Sequence, residues 1–198
     1  MQVKRGGREV GHLRGALAGH DAVMATYIGF LRAINLGAKR KFPKDAIVTA
    51  VEAAGFTEVA TYINTGNVRF DTTLRSRAKI EAALEKAFRA EAGFEVPTIV
   101  FTPKELAAIA EEAASFDHPG KHYVSLLKEA PSAAAVAKVE ELGTRDGESA
   151  RVGGRAVHLL LGDNYHEARL TNALVEKHLG VATNRNVTVI RTLAEKWC

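Results

Sequence analysis

The order of strand and helix patterns is repeated along the chain, and this repetition limits the possible folds more than any single motif does. Both times, a strand is followed by a helix, two strands, a second helix and a closing strand. The first set of patterns covers residues 26–34, 43–55, 58–63, 68–71, 75–92 and 96–101. The second covers residues 122–128, 132–142, 149–152, 155–161 and 170–179; residues 186–190 are its closing strand or the start of a last helix ending at Trp197.

Local signals mark the ends of several elements. Gly93 follows the amphipathic helix of the first set and predicts its C-terminal end, because glycine readily adopts a left-handed conformation. Thr102, Pro103 and Glu105 predict the start of a connecting helix that ends near Ser115, since this order is typical of a capping box.

Two short segments predict tight turns between neighbouring strands. The sequence Asn-Thr-Gly-Asn at residues 64–67 combines residues that tolerate positive φ, and the pair Gly153-Gly154 is a typical two-residue hairpin signal. Each lies between the two middle strands of its set, so both sets are predicted to contain a hairpin.

We therefore predict an α+β fold of two ferredoxin-like (split β-α-β) halves with mixed or antiparallel sheets. Each half leaves one sheet face uncovered, so the halves are expected to pack together. The predicted divisions are residues 24–101 for the first half, 102–120 for a connecting helix and loop, and 121–198 for the second half with its C-terminal helix. Residues 1–23 lack periodicity and are expected to be a flexible leader or a mis-assigned start before Met24.

Composition excludes several classes of protein. The single cysteine is Cys198, so an intrachain disulfide and a thiolate-based metal site are both excluded. No apolar stretch approaches the roughly 18 residues of a membrane span, so we expect no membrane association. Low cysteine usage suits the cytoplasm, which is the predicted location. The net charge of +4 is too small to indicate nucleic-acid binding by itself.

Three segments resemble one known family. They are YIGFLRAINLGAKRK at residues 27–41, GFTEVATYINTGNVRF at 55–70, and residues 152–161 together with RLTNALVEKHLGVATNRN at 169–186. In combination they are similar to the family called domain of unknown function 1697 (DUF1697). The resemblance implies two ferredoxin-like halves but no established activity. It therefore supports an expectation about the fold and none about the function.

The chain departs from the family pattern at several positions. Ala33 and Ala38 stand where the family usually has glycine, and Arg40 replaces a usual asparagine. Val187 stands where tryptophan is common and Thr188 where asparagine is common. Val187 therefore lacks the aromatic ring that any binding through that tryptophan would use.

Basic and amide residues cluster at the predicted ends of elements, where they form a candidate anion site. Helix N-termini and arginine side chains both favour phosphate or carboxylate groups. The candidate ligand-binding residues are Arg32, Asn35, Lys39, Asn64, Asn67, Arg169, Thr171, Asn172, Arg185 and Asn186. We expect the corresponding loops to converge on a phosphate-bearing small molecule or a nucleic-acid backbone, without a cofactor.

A structural role for the same residues remains an alternative. Thr171 and Asn172 have the chemistry of helix caps, and Asn64 and Asn67 that of a turn. Buried arginines would need carboxylate or carbonyl partners between the halves in any case.

Catalytic and metal signals are weak. The chain has no phosphate-loop, dinucleotide-binding, nucleophile-elbow or zinc-protease motif. His118 and His122 are four apart, but Pro119 and Gly120 between them rule out one helix face, and we predict no metal site.

The loop Tyr165-His166-Glu167 combines a phenol, a base and an acid, so His166 and Glu167 are the candidate catalytic residues. Whether the chain is an enzyme stays open at this point. A protein-interaction domain with an unknown protein partner is the third possibility.

Overall fold

The computed structural model describes residues 23–37, 39–142, 147–164 and 167–198. The predicted leader lies almost wholly outside the described residues, as do Tyr165 and His166. The described residues form eight strands and six helices. The first seven elements are β1 (Ala25–Leu31), α1 (Lys44–Ala53), β2 (Thr57–Tyr62), β3 (Asn67–Thr72), α2 (Arg77–Ala92), β4 (Thr98–Phe101) and α3 (Pro103–Ser115). The next seven are β5 (Lys121–Leu127), α4 (Ala133–Leu142), β6 (Ser149–Gly153), β7 (Ala156–Leu161), α5 (Asn172–Leu179), β8 (Ala182–Asn186) and α6 (Val187–Trp197).

The strands form two four-stranded sheets, and the two sheets have equivalent strand orders. The first sheet has the order β2-β3-β1-β4 and the second the order β6-β7-β5-β8. Every pairing is antiparallel, which decides between the mixed and antiparallel sheets left open by the sequence. The predicted α+β class is therefore correct.

Three apolar clusters hold the layers together. One face of the first sheet packs against α1 and α2 through residues such as Phe70 and Leu84. One face of the second sheet packs against α4 and α5, with Val157 and Val175 among the buried residues. The third cluster joins the remaining faces of both sheets to α3 and α6, and Phe30 lies fully buried within it. Burial between the halves therefore forms part of the core.

Backbone hydrogen bonds at the end of the first strand repeat in the two halves. Leu31 N–H donates to the Gly66 carbonyl and Leu127 N–H to the Arg155 carbonyl, both at 2.8 Å. The next residue in each half bonds to the residue before the closing strand. Arg32 N–H donates to the Pro97 carbonyl and Lys128 N–H to the Val181 carbonyl, both at 2.9 Å. The order of elements and the local bonding therefore both repeat.

Capping residues fix helix ends where the sequence predicts them. Thr102 Oγ1 accepts the Glu105 N–H while the Glu105 carboxylate accepts the Thr102 N–H, so the predicted capping box at the start of α3 is confirmed. Gly93 ends α2 with φ of 76°, as predicted.

Of the two alternatives for residues 186–190, the start of the last helix is correct, because the Asn186 side chain accepts the Thr188 N–H and caps α6, which ends at Trp197. The closing strand is β8, which ends at Asn186. One local prediction is wrong. The hairpin turn is Gly154-Arg155, because Gly153 pairs with Ala156 as the last residue of β6. No helix among the described residues is long and apolar enough to cross a membrane.

Gly66 combines a positive φ with a close approach of neighbouring side chains. Its φ is 77°, and an added Cβ would lie 2.7 Å from Leu31 Cβ and 2.8 Å from Ile34 Cδ1. Gly55 has a similar φ of 83°, but a Cβ added there would have no neighbouring atom within 4 Å.

Gly66→Ala is expected to destabilise the protein more than Gly55→Ala does. Left-handed backbone should cost roughly 1–2 kcal/mol in each variant, and steric overlap should add about 1–3 kcal/mol at residue 66 only. Urea unfolding measures both free energies. Equal losses in the two variants would contradict the packing described at Gly66.

Candidate functional site

A cleft of about 490 Å³ opens at the junction of the two halves. It lies beside the end of β1, the β2–β3 turn, the start of α5 and the strand β8. Its lining consists of Leu31, Arg32, Ala33, Ile34, Asn35, Leu36, Asn64, Thr65, Asn172, Ala182, Thr183, Asn184 and Arg185. Among these described residues, the only charged side chains are the two arginines. The cleft therefore has a positive lining in a size range that suits small molecules.

Arg185 forms the buried end of this cleft. Arg185 is only 6% exposed, and its Nε donates to Asn67 Oδ1 at 2.7 Å. Its Nη1 and Nη2 donate to Thr183 Oγ1 and to the carbonyls of Asn184, Leu31, Thr65 and Gly66 at 2.8–3.1 Å. Every one of these acceptors is neutral. Burial lowers the pKa of Arg185 to about 10, so the group stays charged at neutral pH with its charge unbalanced by these contacts.

Arg32 lies at the more open end of the cleft and is already paired. Its Nε and Nη2 donate to the two carboxylate oxygens of Glu176 at 2.6 and 2.7 Å. The hydrogen bond with Glu176 raises the pKa of Arg32. The Arg32 side chain keeps 35% exposure, and its Nη1 forms no hydrogen bond with the described residues. One edge of the guanidinium therefore faces Glu176, and the described part of the chain leaves another edge open to a ligand.

The loops around the cleft have strained backbone. Ala33, Asn35 and Ile63 have φ values of 56°, 55° and 47°. Such values are uncommon for residues other than glycine and cost energy, most of all for a β-branched residue. At Ala33 the value lies in the left-handed region, which glycine adopts without a steric penalty. Among the described residues other than glycine, three of the four with positive φ lie in these loops, and the fourth is Glu58 in β2.

Asn35 holds one of these loops in place. Its Nδ2 donates to the carbonyls of Asn64 at 2.6 Å and Phe42 at 3.2 Å, and its Oδ1 accepts the Phe42 N–H at 2.8 Å. The loop after β1 is therefore tied to the β2–β3 turn on the other side of the cleft. Asn35 is a structural residue of the cleft before any ligand is considered.

Five of the ten predicted ligand-binding residues line the same cleft: Arg32, Asn35, Asn64, Asn172 and Arg185. Asn67 lies directly behind Arg185 and accepts its Nε hydrogen bond. The expected convergence of the first strand's end with the second half is therefore present for these residues.

The other predicted residues lie elsewhere. Arg169 lines a separate cavity with Glu148, Asp163, Asn164 and Glu167, so it does not join Arg32 and Arg185. Thr171 caps α5 by accepting the Leu174 N–H, and Asn186 caps α6. Both are therefore accounted for by the structural alternative. Lys39 is exposed and does not line the cleft.

The candidate catalytic loop is only partly described. His166 lies outside the described residues, and Glu167 accepts a hydrogen bond from Asn164 Nδ2 at 2.7 Å in the cavity beside Arg169. Sequence reasoning missed Glu176, the partner of Arg32. A glutamate within an amphipathic helix carries no signal that distinguishes it from a solvated one.

Comparisons with known proteins identify a family and a fold. A family model described as "Protein of unknown function (DUF1697)" matches residues 24–158. No curated protein matches the chain. A solved structure described as conserved bacterial protein SP0830 from Streptococcus pneumoniae has a TM-score of 0.68 and 20% identity, covering 88% of this chain and 98% of that chain. At this identity the likeness shows the fold alone.

A second polar cluster, away from the cleft, is formed by buried histidines. His122 Nε2 lies 3.1 Å from His158 Nδ1, and the ring of Phe116 contacts both imidazoles. His158 is fully buried, and its Nε2 lies 3.6 Å from Glu112 Oε2. No group of three or more His, Cys, Asp or Glu residues in the described part of the chain is arranged to hold a metal ion.

Burial keeps this histidine pair neutral. Burial lowers the pKa of His122 to about 4, and the charges of His158, Arg191 and His118 act in the same direction. Burial also lowers the pKa of His158, although the Glu112 carboxylate opposes that change. Both imidazoles therefore resist protonation in the folded protein.

The histidine pair predicts a loss of stability in mild acid. The unfolded chain binds a proton at His122 below about pH 6.5, whereas the folded protein does so only near pH 4. Above pH 6.5, His122 makes its full contribution to the free energy of unfolding. As the pH falls from 6.5 to 4, this contribution decreases by on the order of 3 kcal/mol. His122→Gln should flatten the pH dependence of the unfolding free energy by that amount. Parallel profiles for wild type and His122→Gln would refute this assignment.

Proposed function

The chain belongs to the DUF1697 family, whose description assigns no activity, and we propose from the cleft itself that the protein is a binding module for a small anionic ligand. The observation that carries this proposal is the buried Arg185 charge at the end of the cleft, which only neutral acceptors contact. Removing a charge from water is costly unless an opposite charge compensates it. An anion in the adjoining cleft would supply that compensation.

The geometry supports different roles for the two arginines in the proposed site. All hydrogen-bonding groups of Arg185 are engaged by the protein, so it acts on a ligand through its electric field. Arg32 is 35% exposed on its side chain and keeps Nη1 for a direct contact. A charge-assisted hydrogen bond from Arg32, strengthened by the nearby Arg185 charge, is therefore the expected mode of binding.

The size of the cleft favours a small molecule over nucleic acid. Its volume of about 490 Å³ lies within the range of small-molecule sites. A nucleic-acid site would instead need many cations along an extended surface. The phosphate-bearing small molecule expected from the sequence is one member of the ligand class proposed here.

Two finer assignments accompany the proposal. The strand orders β2-β3-β1-β4 and β6-β7-β5-β8 support a ferredoxin-like arrangement in each half. A cytoplasmic location is proposed from the low cysteine usage alone.

Arg32→Met is expected to weaken anion binding while preserving the fold. Loss of one charge-assisted hydrogen bond of about 1.5–3 kcal/mol corresponds to a roughly 10- to 100-fold weaker affinity. Thermal-shift screening with carboxylates, sugar phosphates, nucleotides and short oligonucleotides, followed by calorimetric titration of the hits, measures this effect.

The matched control is Arg89→Met, because Arg89 forms an exposed ion pair with Glu95 and does not line the cleft. That variant should bind like wild type. The proposal fails if no anion stabilises the wild-type protein, or if both variants bind every anion equally well.

A further inference from the structure

Each half places a cation directly after its first strand, and this cation is paired with a glutamate from the other half. Arg32 Nε lies 2.6 Å from Glu176 Oε1, and Lys128 Nζ lies 2.5 Å from Glu85 Oε1. Arg32 follows β1 and reaches α5, whereas Lys128 follows β5 and reaches α2. The two ion pairs therefore occupy equivalent positions in the internal repeat.

The surroundings of the two pairs are also equivalent. Glu85 accepts the N–H of Thr98 at 2.8 Å, and Glu176 accepts that of Ala182 at 3.1 Å. Thr98 and Ala182 are the first residues of β4 and β8, the closing strands of the two halves. The two glutamates are therefore matched in their backbone partners as well as in their cations.

A buried guanidinium accompanies each pair. Arg185 donates to the carbonyl of Leu31 at 3.0 Å, and Arg155 donates to that of Leu127 at 3.1 Å. Leu31 and Leu127 are the last residues of β1 and β5, the first strands of the two halves. Two cations therefore lie at the end of each first strand: Arg32 and Arg185 at the end of β1, and Lys128 and Arg155 at the end of β5.

The two places differ in their carboxylates, and one of these differences lies at equivalent positions of the repeat. Four residues before Glu85 is Glu81, which is 3% exposed, accepts the Val100 N–H at 3.0 Å and lies 3.8 Å from Lys128 Nζ. Four residues before Glu176 is Asn172, which is neutral and accepts a hydrogen bond from Ser125 Oγ at 2.8 Å. The cleft therefore lacks the second carboxylate that the equivalent place in the other half contains.

The charge balance follows from this difference. Near Lys128, both Glu81 and Glu85 contribute negative charge, and Arg155 has an additional ion pair with Glu105 at 3.3 Å. At the cleft, Glu176 is the only carboxylate that the described contacts bring to Arg32 or Arg185. One positive charge is left in excess at the cleft.

Building on the proposed function, we infer that the ligand is a small organic monoanion whose carboxylate supplies, at the cleft, the negative charge that Glu81 supplies in the other half. A single negative charge balances the excess, whereas a polyanion would bring uncompensated charge into a partly dry cleft. Ile34 and the 64% exposed Leu36 line the same cleft and offer apolar contact to the body of such a ligand.

The test supplies the missing carboxylate from the protein. Asn172→Asp is nearly isosteric and adds a negative charge at the start of α5, where it is favourable. We expect butyrate and benzoate to bind Asn172→Asp at least ~10-fold more weakly than wild type, because the two carboxylates would compete for the same cations. The variant loses the hydrogen bond that Asn172 Nδ2 donates to the Ala182 carbonyl at 3.3 Å, so circular dichroism first establishes that it folds like wild type.

The control is Thr49→Asp, which adds the same charge on the exposed part of α1 and should bind carboxylates like wild type. The inference is overturned if Asn172→Asp binds carboxylates as tightly as wild type. It is also overturned if only inorganic phosphate, a nucleoside monophosphate or an oligonucleotide binds with dependence on Arg32; the proposed function then stands. If no anion binds with dependence on Arg32, the proposed function fails as well.

Discussion

Much of the molecule depends on one buried guanidinium group. Arg185 projects from the edge strand β8 and bonds to the end of β1 and to the β2–β3 turn, so it fastens the second sheet to the first. The converging carbonyls exist because the chain turns tightly at Gly66, where φ is 77°. The backbone thus solvates the charge without neutralising it. The cohesion of the halves and the field of the cleft consequently have the same source.

Local chemistry makes most of the fold predictable. The capping residues around Thr102, the amphipathic pattern of α2 and the glycine at residue 93 act within one or two turns of chain, so the sequence carries them directly. The strand β8 escapes prediction because its sequence, ATNRN, has the composition of a loop. Its strand conformation comes from pairing with β5, a contact that no local pattern contains.

The candidate site is predictable in its residue types but not in its electrostatics. Arg32 directly follows β1, as the sequence predicts, whereas Arg185 lies within β8, a strand that the sequence does not predict. Arg32 is paired with a carboxylate, whereas Arg185 is bonded to backbone carbonyls. This difference in partners arises only when the two halves pack together. Arg169 has the same sequence signature but faces another cavity, because a residue's position along the chain does not fix the direction in which its loop turns.

Because the ion pairs Arg32–Glu176 and Lys128–Glu85 join the two halves, neither half keeps its charge partners when the chain is cut between them. A fragment ending after β4 would keep Arg32 and Glu85 but lose Glu176 and Lys128, so each charge would be separated from its partner. The same cut would expose the sheet face that carries Phe30 to water. Although the two halves look like autonomous modules in their topology, each one completes the other's charge pairs and covers the other's apolar face. Truncation at their boundary removes support from both sides at once.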